Sequence, residues 1–425
     1  MTAPIQSVGR PQRQAAFGFI FASALMTSVS FGLMIPILPN LIRQLTGGDT
    51  AAASDWNAIF GGTWGLMQFF AGPILGVLSD RVGRRPVLLI STFGLAVDFL
   101  FMALAPTLWW LYLGRVLNGM TAASFSTAGA YLADVTPPER RARSFGMLQS
   151  AFSFGFLLGP VLGGWLGEIS LRLPFFVAAG VTGLNWLYGF FILPESLPLD
   201  RRLKTYEWRR ANPLGSLRLL RSHPGLASLA SVGFLFQLAQ VVLPTIFVLY
   251  ATYRYHWSTL ILGLTFPLTG IMGIIVQMFL VGPAVARFGE RRVVLIGAVM
   301  GALGFFWYGS ASIGWVNLLG APIFAFSGFI MPGLQGLMTQ RVTPNQQGQL
   351  QGANQSLQGI ASIVGPLVFG ETFAWSLRHE ATLHMPGLAI YLAGGLLLLA
   401  FAVAWNFAHP QRPQVAAGPA AEAAE

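Results

Sequence analysis

Two ionisable side chains lie inside long apolar stretches of this sequence, where a charge is costly and therefore often functional. Asp98 stands in "GLAVDFLF" and Arg115 in "LYLGRVLNG". A carboxyl group there could take up and release a proton, or it could pair with a polar group on a neighbouring helix. Arg115 could contact a bound molecule or pair with a carboxylate. The chemistry that these residues offer is proton transfer and ligand binding.

Enzyme chemistry has no comparable basis. The sequence contains no HExxH motif, and its five histidines fall in loops or at helix ends. It also contains no cysteine, which removes disulfides and thiolate metal sites. We therefore predict no catalytic residue, no metal site and no cofactor.

A dense group of charges occurs in "GVLSDRVGRRPVLLIS", residues 76–91, between two apolar stretches. A similar pattern returns 206 residues later in "GPAVARFGERRVVLIG", so that Gly83 aligns with Gly289. Near the same offset Gln149 aligns with Gln355. Because the same motifs recur at nearly the same offset, the sequence predicts two related halves.

Composition places the chain in a membrane. Only 9% of its 425 residues are charged and 54% are hydrophobic, whereas soluble domains carry about 25% charged residues. Apolar windows of about 20 residues are long enough to cross a bilayer as helices. The sequence predicts twelve spans, at 14–36, 57–79, 86–105, 108–133, 142–167, 173–193, 226–250, 259–284, 292–310, 314–340, 347–372 and 385–408.

The net charge of +10 follows from topology. Of the 25 lysines and arginines, four lie in the predicted outer loops, Arg115 lies in a span, and the other twenty share the side of the N-terminus. This asymmetry is the positive-inside rule, and it predicts cytoplasmic termini. A nucleic-acid partner is therefore not needed to explain the basic charge.

The predicted fold class is an all-α membrane protein with twelve transmembrane helices in two pseudo-symmetric six-helix bundles. Residues 1–193 would form the first bundle and 226–425 the second, which includes a short cytoplasmic tail. The Pro-rich, basic segment 194–225 would be a cytoplasmic linker that lets the two bundles move.

These motifs resemble those of the major facilitator superfamily. The run from Gly76 to Arg85 is similar to the family's loop 2–3 signature, and "GPVLGG" at 159–164 is similar to a fifth-helix motif of its drug:proton antiporters. Longer stretches, such as "SDRVGRRPVLL" and "GAYLADVTPPERRARSFG", resemble the tetracycline-exporter branch over nearly the whole chain. In that branch the first, eighth and ninth helices carry charged or titratable residues at the places of Thr27, Gly273 and Gly301.

The resemblance implies a latch on the cytoplasmic side. Asp80 would face the start of the eleventh helix near 345–349, and Arg84 would bridge Asp80 and Asp134. A carboxylate at a helix N-terminus contributes ~0.3–1 kcal/mol when exposed and up to ~2 when partly buried. The predicted latch residues are Gly76, Asp80, Arg81, Gly83, Arg84, Arg85 and Asp134, with simple topological anchoring as an equal alternative for Arg81 and Arg85.

Small residues and neutral polar residues make two further predicted sets. Gly159, Pro160, Gly163 and Gly164 would form a helix-packing hinge. Neutral amides within apolar helices need a partner or a wet cavity, and several would line a binding site for an aromatic, amphipathic molecule. The predicted substrate-binding residues are Gln68, Arg115, Asn118, Gln149, Gln237, Gln277, Gln335 and Asn354.

The sequence thus predicts a secondary transporter that exports a small hydrophobic or amphipathic compound, such as a tetracycline-like drug, in exchange for protons. Asp98, which the antiporter resemblance retains, would couple the protons. An uncoupled facilitator and a receptor that has lost transport are the alternatives. The resemblance also implies a bacterial inner membrane and a monomer.

Overall fold

The computed structural model describes residues 10–121, 124–203, 215–223 and 225–408, and these residues form helices and no strands. The membrane-length helices are α1 (Arg10–Met34), α2 (Thr50–Val82), α3 (Arg84–Leu104), α4 (Leu108–Thr121 and Ser124–Val135), α5 (Arg141–Ile169), α6 (Leu173–Ile192), α7 (Leu226–Gln240 and Val242–Tyr255), α8 (259–288), α9 (290–310), α10 (Gly314–Thr339), α11 (Gln347–Arg378) and α12 (Leu388–Phe407). Shorter helices and turns lie at Leu38–Leu45, Pro138–Arg140, Leu199–Arg201, Gly215–Leu217, Arg218–Ser222, Pro344–Gln346 and Glu380–Leu383.

The all-α membrane fold is confirmed. Ten segments are long and apolar enough to span a bilayer. Two of the predicted spans, α8 and α9, form one continuous 52-residue segment among these ten. Helix α4 is not among them, because residues 122–123 lie outside the described part of the chain. The largest difference from the predicted boundaries is in α2, which begins at Thr50 rather than 57. Asp49 caps this helix by accepting hydrogen bonds from the backbone N–H groups of Ala51 and Ala52.

Two glycines make the same turn in the two halves. Gly83 separates α2 from α3 with a φ of 114°, and Gly289 separates α8 from α9 with a φ of 77°. A positive φ is accessible to glycine at little cost and strained for other residues. The repeat seen in the sequence therefore has a matching backbone conformation.

Helices α1–α6 pack mainly against one another, and so do α7–α12; we call these sets the first and second bundles. In the first bundle α1 packs along α5 and α6, and α3 packs along α4 and α6. In the second bundle α12 packs along α7 and α9. The two bundles meet where α2 runs along α11 and α5 runs along α8.

Glycines allow the backbones of α1 and α5 to touch. A Cβ added at Gly159 would lie 2.5 Å from Gly32 Cα and 2.6 Å from the carbonyl oxygen of Val29. Contacts this close involve backbone atoms that no side-chain rotation relieves. The first glycine of the predicted motif at 159–164 therefore allows α1 and α5 to pack closely within the first bundle.

The same motif also reaches the second bundle. Gly164 lies against α8, where an added Cβ would meet Gly263 Cα and Leu260 Cα, each at 3.1 Å. Gly163 instead packs on the backbone of Leu33 in α1. One turn of α5 thus joins contacts within a bundle to contacts between bundles.

We expect Gly159→Val to lower the free energy of unfolding by about 1–3 kcal/mol or more, the cost of overpacking a filled interior. Gly180→Val is the matched control, because the Cβ position of Gly180 on α6 faces open space. Thermal unfolding of both variants in detergent measures the difference. Equal melting temperatures would contradict the close approach of α1 and α5.

Candidate functional site

The predicted bridge through Arg84 is present. Its Nη1 lies 2.5 Å from Asp80 Oδ1, and its Nε donates to Asp134 Oδ2 at 3.3 Å. Nη1 also donates to Ser79 Oγ at 2.7 Å, and Ser79 donates to the carbonyl of Gly76. One guanidinium therefore ties the end of α2 to the end of α4.

The linker contributes a carboxylate that sequence reasoning missed. Glu195 accepts hydrogen bonds from the backbone N–H groups of Arg84 at 2.8 Å and Arg85 at 3.3 Å, so that it caps α3. Its position directly after the sixth span, in "LPES", was the available signal. Because Leu203 N–H also donates to the carbonyl of Asp80, part of the predicted mobile linker is fastened to the first bundle.

The remaining members of the predicted latch differ in their contacts. Arg85 donates to the carbonyl of Phe190 at 2.5 Å, and Arg81 is exposed. In the described residues Asp80 pairs with Arg84 and makes no hydrogen bond to residues 345–349. The predicted contact of Asp80 with the start of α11 is thus not made in this conformation.

The hydrogen bonds between bundles described here lie at the opposite end of the molecule, which we call the closed end. Ser54 Oγ of α2 donates to the carbonyl of Gly370 in α11 at 2.9 Å, and Asn57 of α2 donates to the carbonyl of Thr245 in α7 at 2.6 Å. Asp55 of the first bundle forms an ion pair with Arg378 of the second.

A second carboxylate holds the closed end together. Glu168, near the end of α5, accepts hydrogen bonds from Leu260 N–H and Thr259 Oγ1 of α8, both at 2.9 Å. These donors belong to the first turn of α8, where the helix dipole favours an anion. Glu168 therefore caps a helix of the other bundle, which is the type of contact that the sequence predicted for Asp80.

Asp98 and Arg115 form a buried ion pair. Arg115 on α4 donates through Nη2 to Asp98 Oδ2 on α3, and the two side chains are 5% and 0% exposed. The same Nη2 also lies 3.6 Å from the thioether sulfur, Sδ, of Met102. Of the two roles that the sequence left open for each residue, the structure contains the pairing, and neither residue lines the cavities described next.

The first-bundle cavity has a volume of about 220 Å³. Two of the predicted residues, Gln68 and Asn118, line it, and Asn118 Oδ1 accepts a hydrogen bond from Trp64 Nε1 at 2.7 Å. Thr27 also lines this cavity. Its wall therefore combines amides and hydroxyls with aromatic rings.

The second-bundle cavity is larger, about 430 Å³, and is lined by α7–α10 together with Ile35 of the first bundle. Of the predicted residues it contains Gln277, and Gly273 also contributes to its wall. Gly301 does not line this cavity; its Cβ position is packed against the side chains of Leu397 and Ser327. The aromatic residues of the wall are Phe247, Phe266, Tyr308 and Phe324.

The other predicted substrate-binding residues line neither cavity. Gln149 is exposed and Gln237 is half-buried. Asn354 Nδ2 donates to Gln335 Oε1 at 3.4 Å, which links α11 to α10. For this pair the interhelical hydrogen bond, rather than a place in a cavity wall, is what the structure shows.

Neither cavity is lined by a charged side chain in the described part of the chain. A charge moved from water into such a site would lose hydration without gaining a counter-ion. The geometry is thus suited to binding an uncharged or internally compensated molecule between apolar walls with a few polar groups.

Comparisons with known proteins agree with this architecture. The family model described as Major Facilitator Superfamily matches residues 20–366 and 278–424. The chain is 39% identical over 374 residues to the Escherichia coli protein "Tetracycline resistance protein, class C", covering 88% of this chain and 93% of that protein. A class G tetracycline resistance protein of Vibrio anguillarum is 38% identical with the same coverage.

The fold is also similar to that of solved structures. The crystal structure of the human organic anion transporter MFSD10 (TETRAN) matches with a TM-score of 0.65 and 24% identity, over 92% of this chain and 99% of that chain. At this identity the likeness supports the fold alone, which agrees with the two bundles described above.

The buried ion pair leads to a prediction on stability. We expect Asp98→Ala and Arg115→Ala each to lower the free energy of unfolding by about 3–5 kcal/mol, because each leaves one buried charge without a partner. The double variant should lose less than the sum of the two. Chemical unfolding of the four proteins in detergent gives the coupling energy, and strictly additive losses would contradict the pairing.

Proposed function

Because this chain belongs to the major facilitator superfamily, we propose that it is a secondary transporter that exports a small hydrophobic or amphipathic compound in exchange for protons. The observation that carries this proposal is the similarity to tetracycline resistance proteins along 88% of the chain. Tetracycline is accordingly the first compound to test. The two uncharged, partly aromatic cavities support a drug-like substrate.

The mechanism we propose is alternating access by movement of the two bundles, residues 1–193 and 226–425. The inter-bundle contacts at the closed end, among them the cap that Glu168 forms on α8, would hold this conformation. In the other conformation they would break, and Asp80 would reach the start of α11. Since each such contact stabilises a state by a few tenths to about 2 kcal/mol, a few of them suffice to set the equilibrium between states.

We place the protein in a bacterial inner membrane as a monomer, with both termini and the Asp80–Arg84 loop in the cytoplasm. The distribution of basic residues supports this orientation. Under it the closed end faces outward, so that the conformation described here would be open toward the cytoplasm and ready to receive its substrate.

For the coupled proton, Asp98 is the proposed carrier. Among the described residues Asp98 and Arg115 are the buried charged side chains, 0% and 4% exposed. Protonation of Asp98 would remove the partner of Arg115 and change the contact between α3 and α4. A proton would thereby alter the packing of the first bundle without entering either cavity.

Proton exchange is tested with purified protein in liposomes that contain a pH-sensitive dye. Addition of tetracycline should drive a proton flux, and Asp98→Asn should abolish it because an amide cannot carry the proton. Asn185→Asp, which adds a carboxylate near the first-bundle cavity, should not restore the flux to Asp98→Asn. Tetracycline transport that continues without proton movement would instead establish a facilitator.

The latch gives a separate prediction. Arg84→Ala should reduce substrate transport several-fold, because it removes the bridge from Asp80 to Asp134. The matched control is Arg81→Ala, three residues away in the same loop and exposed. Initial rates of tetracycline uptake into inside-out vesicles compare the two, and equal rates would show that Arg84 serves only to anchor the loop.

A further inference from the structure

The turn between α8 and α9 repeats the turn between α2 and α3 and keeps its polar contact. At the 206-residue offset Arg84 corresponds to Glu290, and Asp134 corresponds to Gln340. Arg84 donates to Asp134 in the first bundle, and Gln340 Nε2 donates to Glu290 Oε1 at 3.2 Å in the second. The same two positions therefore meet in both bundles, although the residue types differ.

A second contact of this turn is repeated as well. Arg85 donates to the carbonyl of Phe190, two positions before the last residue of α6. Its counterpart Arg291 donates through Nη2 to the carbonyl of Trp405 at 2.7 Å, two positions before the last residue of α12. The guanidinium carbon of Arg291 also lies 5.7 Å from the ring centroid of Trp405. Arg291 thus fixes the turn to the end of α12.

The carboxylates of the first turn have no equivalents in the second. Asp80, which forms an ion pair in the first bundle, corresponds to Ala286. Glu195 caps α3 from the third position after α6, and the third position after α12 is Pro410. Glu290 is the one carboxylate gained, and it accepts a hydrogen bond from α10. The second turn therefore carries an excess of positive charge.

Three arginines hold this excess. Arg287 lies at the end of α8, and Arg291 and Arg292 lie at the start of α9. In the part of the chain that the structure describes, none of the three forms an ion pair, and Arg287 and Arg292 donate no hydrogen bond. Arg287 and Arg292 are exposed. The cluster can therefore bind an anion that comes from outside the chain.

The neighbours of the arginines are apolar and exposed. The guanidinium carbon of Arg287 lies 5.6 Å from the ring centroid of Phe288. Phe288 is exposed, as are Phe279 on α8 and Trp405 on α12. In a membrane-spanning chain such side chains contact lipid, and aromatic rings near helix ends lie at the depth of the headgroups. The anion that fits this place carries acyl chains.

We infer that the arginine cluster of Arg287, Arg291 and Arg292 binds the headgroup of an anionic phospholipid. Guanidinium groups match the geometry of phosphate oxygens, and basic clusters at the ends of membrane helices are suited to anionic headgroups. The lipid phosphate would supply the negative charge that Asp80 and Glu195 supply in the first bundle. The site is separate from both cavities and does not depend on the identity of the transported compound.

Three probes test the class of ligand. Dioleoylphosphatidylglycerol has a net negative charge, dioleoylphosphatidylcholine has the same acyl chains without net charge, and inorganic phosphate has charge without chains. Native mass spectrometry of the purified full chain in detergent measures lipid binding, with phosphate added as a competitor. We expect phosphatidylglycerol to bind more tightly than either other probe. Equal binding of phosphatidylcholine, or phosphate that binds as tightly, overturns the inference.

Removal of two arginines tests the place. Since each arginine near an anionic surface changes the affinity by about fivefold, Arg287→Gln/Arg292→Gln should weaken binding of phosphatidylglycerol by roughly 25-fold. The matched control is Arg140→Gln/Arg143→Gln, which removes two exposed arginines from the same end of the first bundle. Equal losses in the two double variants would show a general attraction to basic protein and would overturn the site.

The position of Ala286 tests the role of charge. Ala286→Asp restores the carboxylate that Asp80 provides in the first turn, and it should weaken binding of phosphatidylglycerol by about fivefold. Ala286→Asn has the same shape without the charge and should leave binding unchanged. Ala286 is exposed, so neither side chain displaces packed atoms. Equal losses in both variants would contradict an electrostatic site.

The acidic residues at the end of the chain provide the last test. If Glu422 and Glu425 occupied the arginines instead of a lipid, Glu422→Gln/Glu425→Gln would be needed before phosphatidylglycerol could bind. We expect the double variant to bind this lipid as the unchanged chain does. Binding that is seen only in the double variant overturns the inference.

Discussion

A charge inside a bilayer must have a partner, and this constraint organises the molecule. It explains why only 9% of the residues are charged and why the two best-buried charged side chains, Asp98 and Arg115, bind each other. It also explains where the other ion pairs described here lie. Asp55 with Arg378 and Arg84 with Asp80 are found at the two ends of the bundles, where water lowers the cost of breaking a pair. Under the proposed function, the contacts between the bundles that open and close lie at the closed end, and the buried pair of Asp98 and Arg115 is the one that protonation would break.

The sequence was informative wherever the signal was local or periodic. Span length predicted the helices, and the repeat predicted two related halves. The aligned glycines Gly83 and Gly289 both have a positive φ in the structure. The bridge from Arg84 to Asp80 and Asp134 was predicted from the resemblance to a family motif, not from the physical properties of these residues. The sequence did not show how each helix is rotated about its axis, and this rotation decides which amides face a cavity. Gln149, Gln335 and Asn354 were amides in apolar helices like Gln68 and Gln277, and nothing in their spacing showed which would face a cavity.

The contacts that were missed join residues distant in the chain. Glu195 caps a helix that begins 111 positions earlier, and Glu168 caps one that begins after the linker. In both cases an acidic residue lies just outside an apolar run, which is also the place of an ordinary solvated carboxylate. Only the packing of α5 on α8, made possible by Gly164 and Gly263, brings Glu168 to the N-terminus of α8. Small residues thus determine the polar contact, because the helices must approach before the carboxylate can reach.

The two halves keep one backbone plan and use it differently. At the 206-residue offset, the first bundle has the ion pair of Asp98 and Arg115 where the second has Gly304 and Ala321. Ala321 lines the second-bundle cavity, and Gly304 packs against Phe324. A buried ion pair resists separation, since moving either partner leaves a charge unpaired. An interior lined by threonine, asparagine and aromatic rings can instead accept a ligand. Under the proposed function, a proton taken up by Asp98 would break this ion pair, so that protonation is coupled to the contact between α3 and α4.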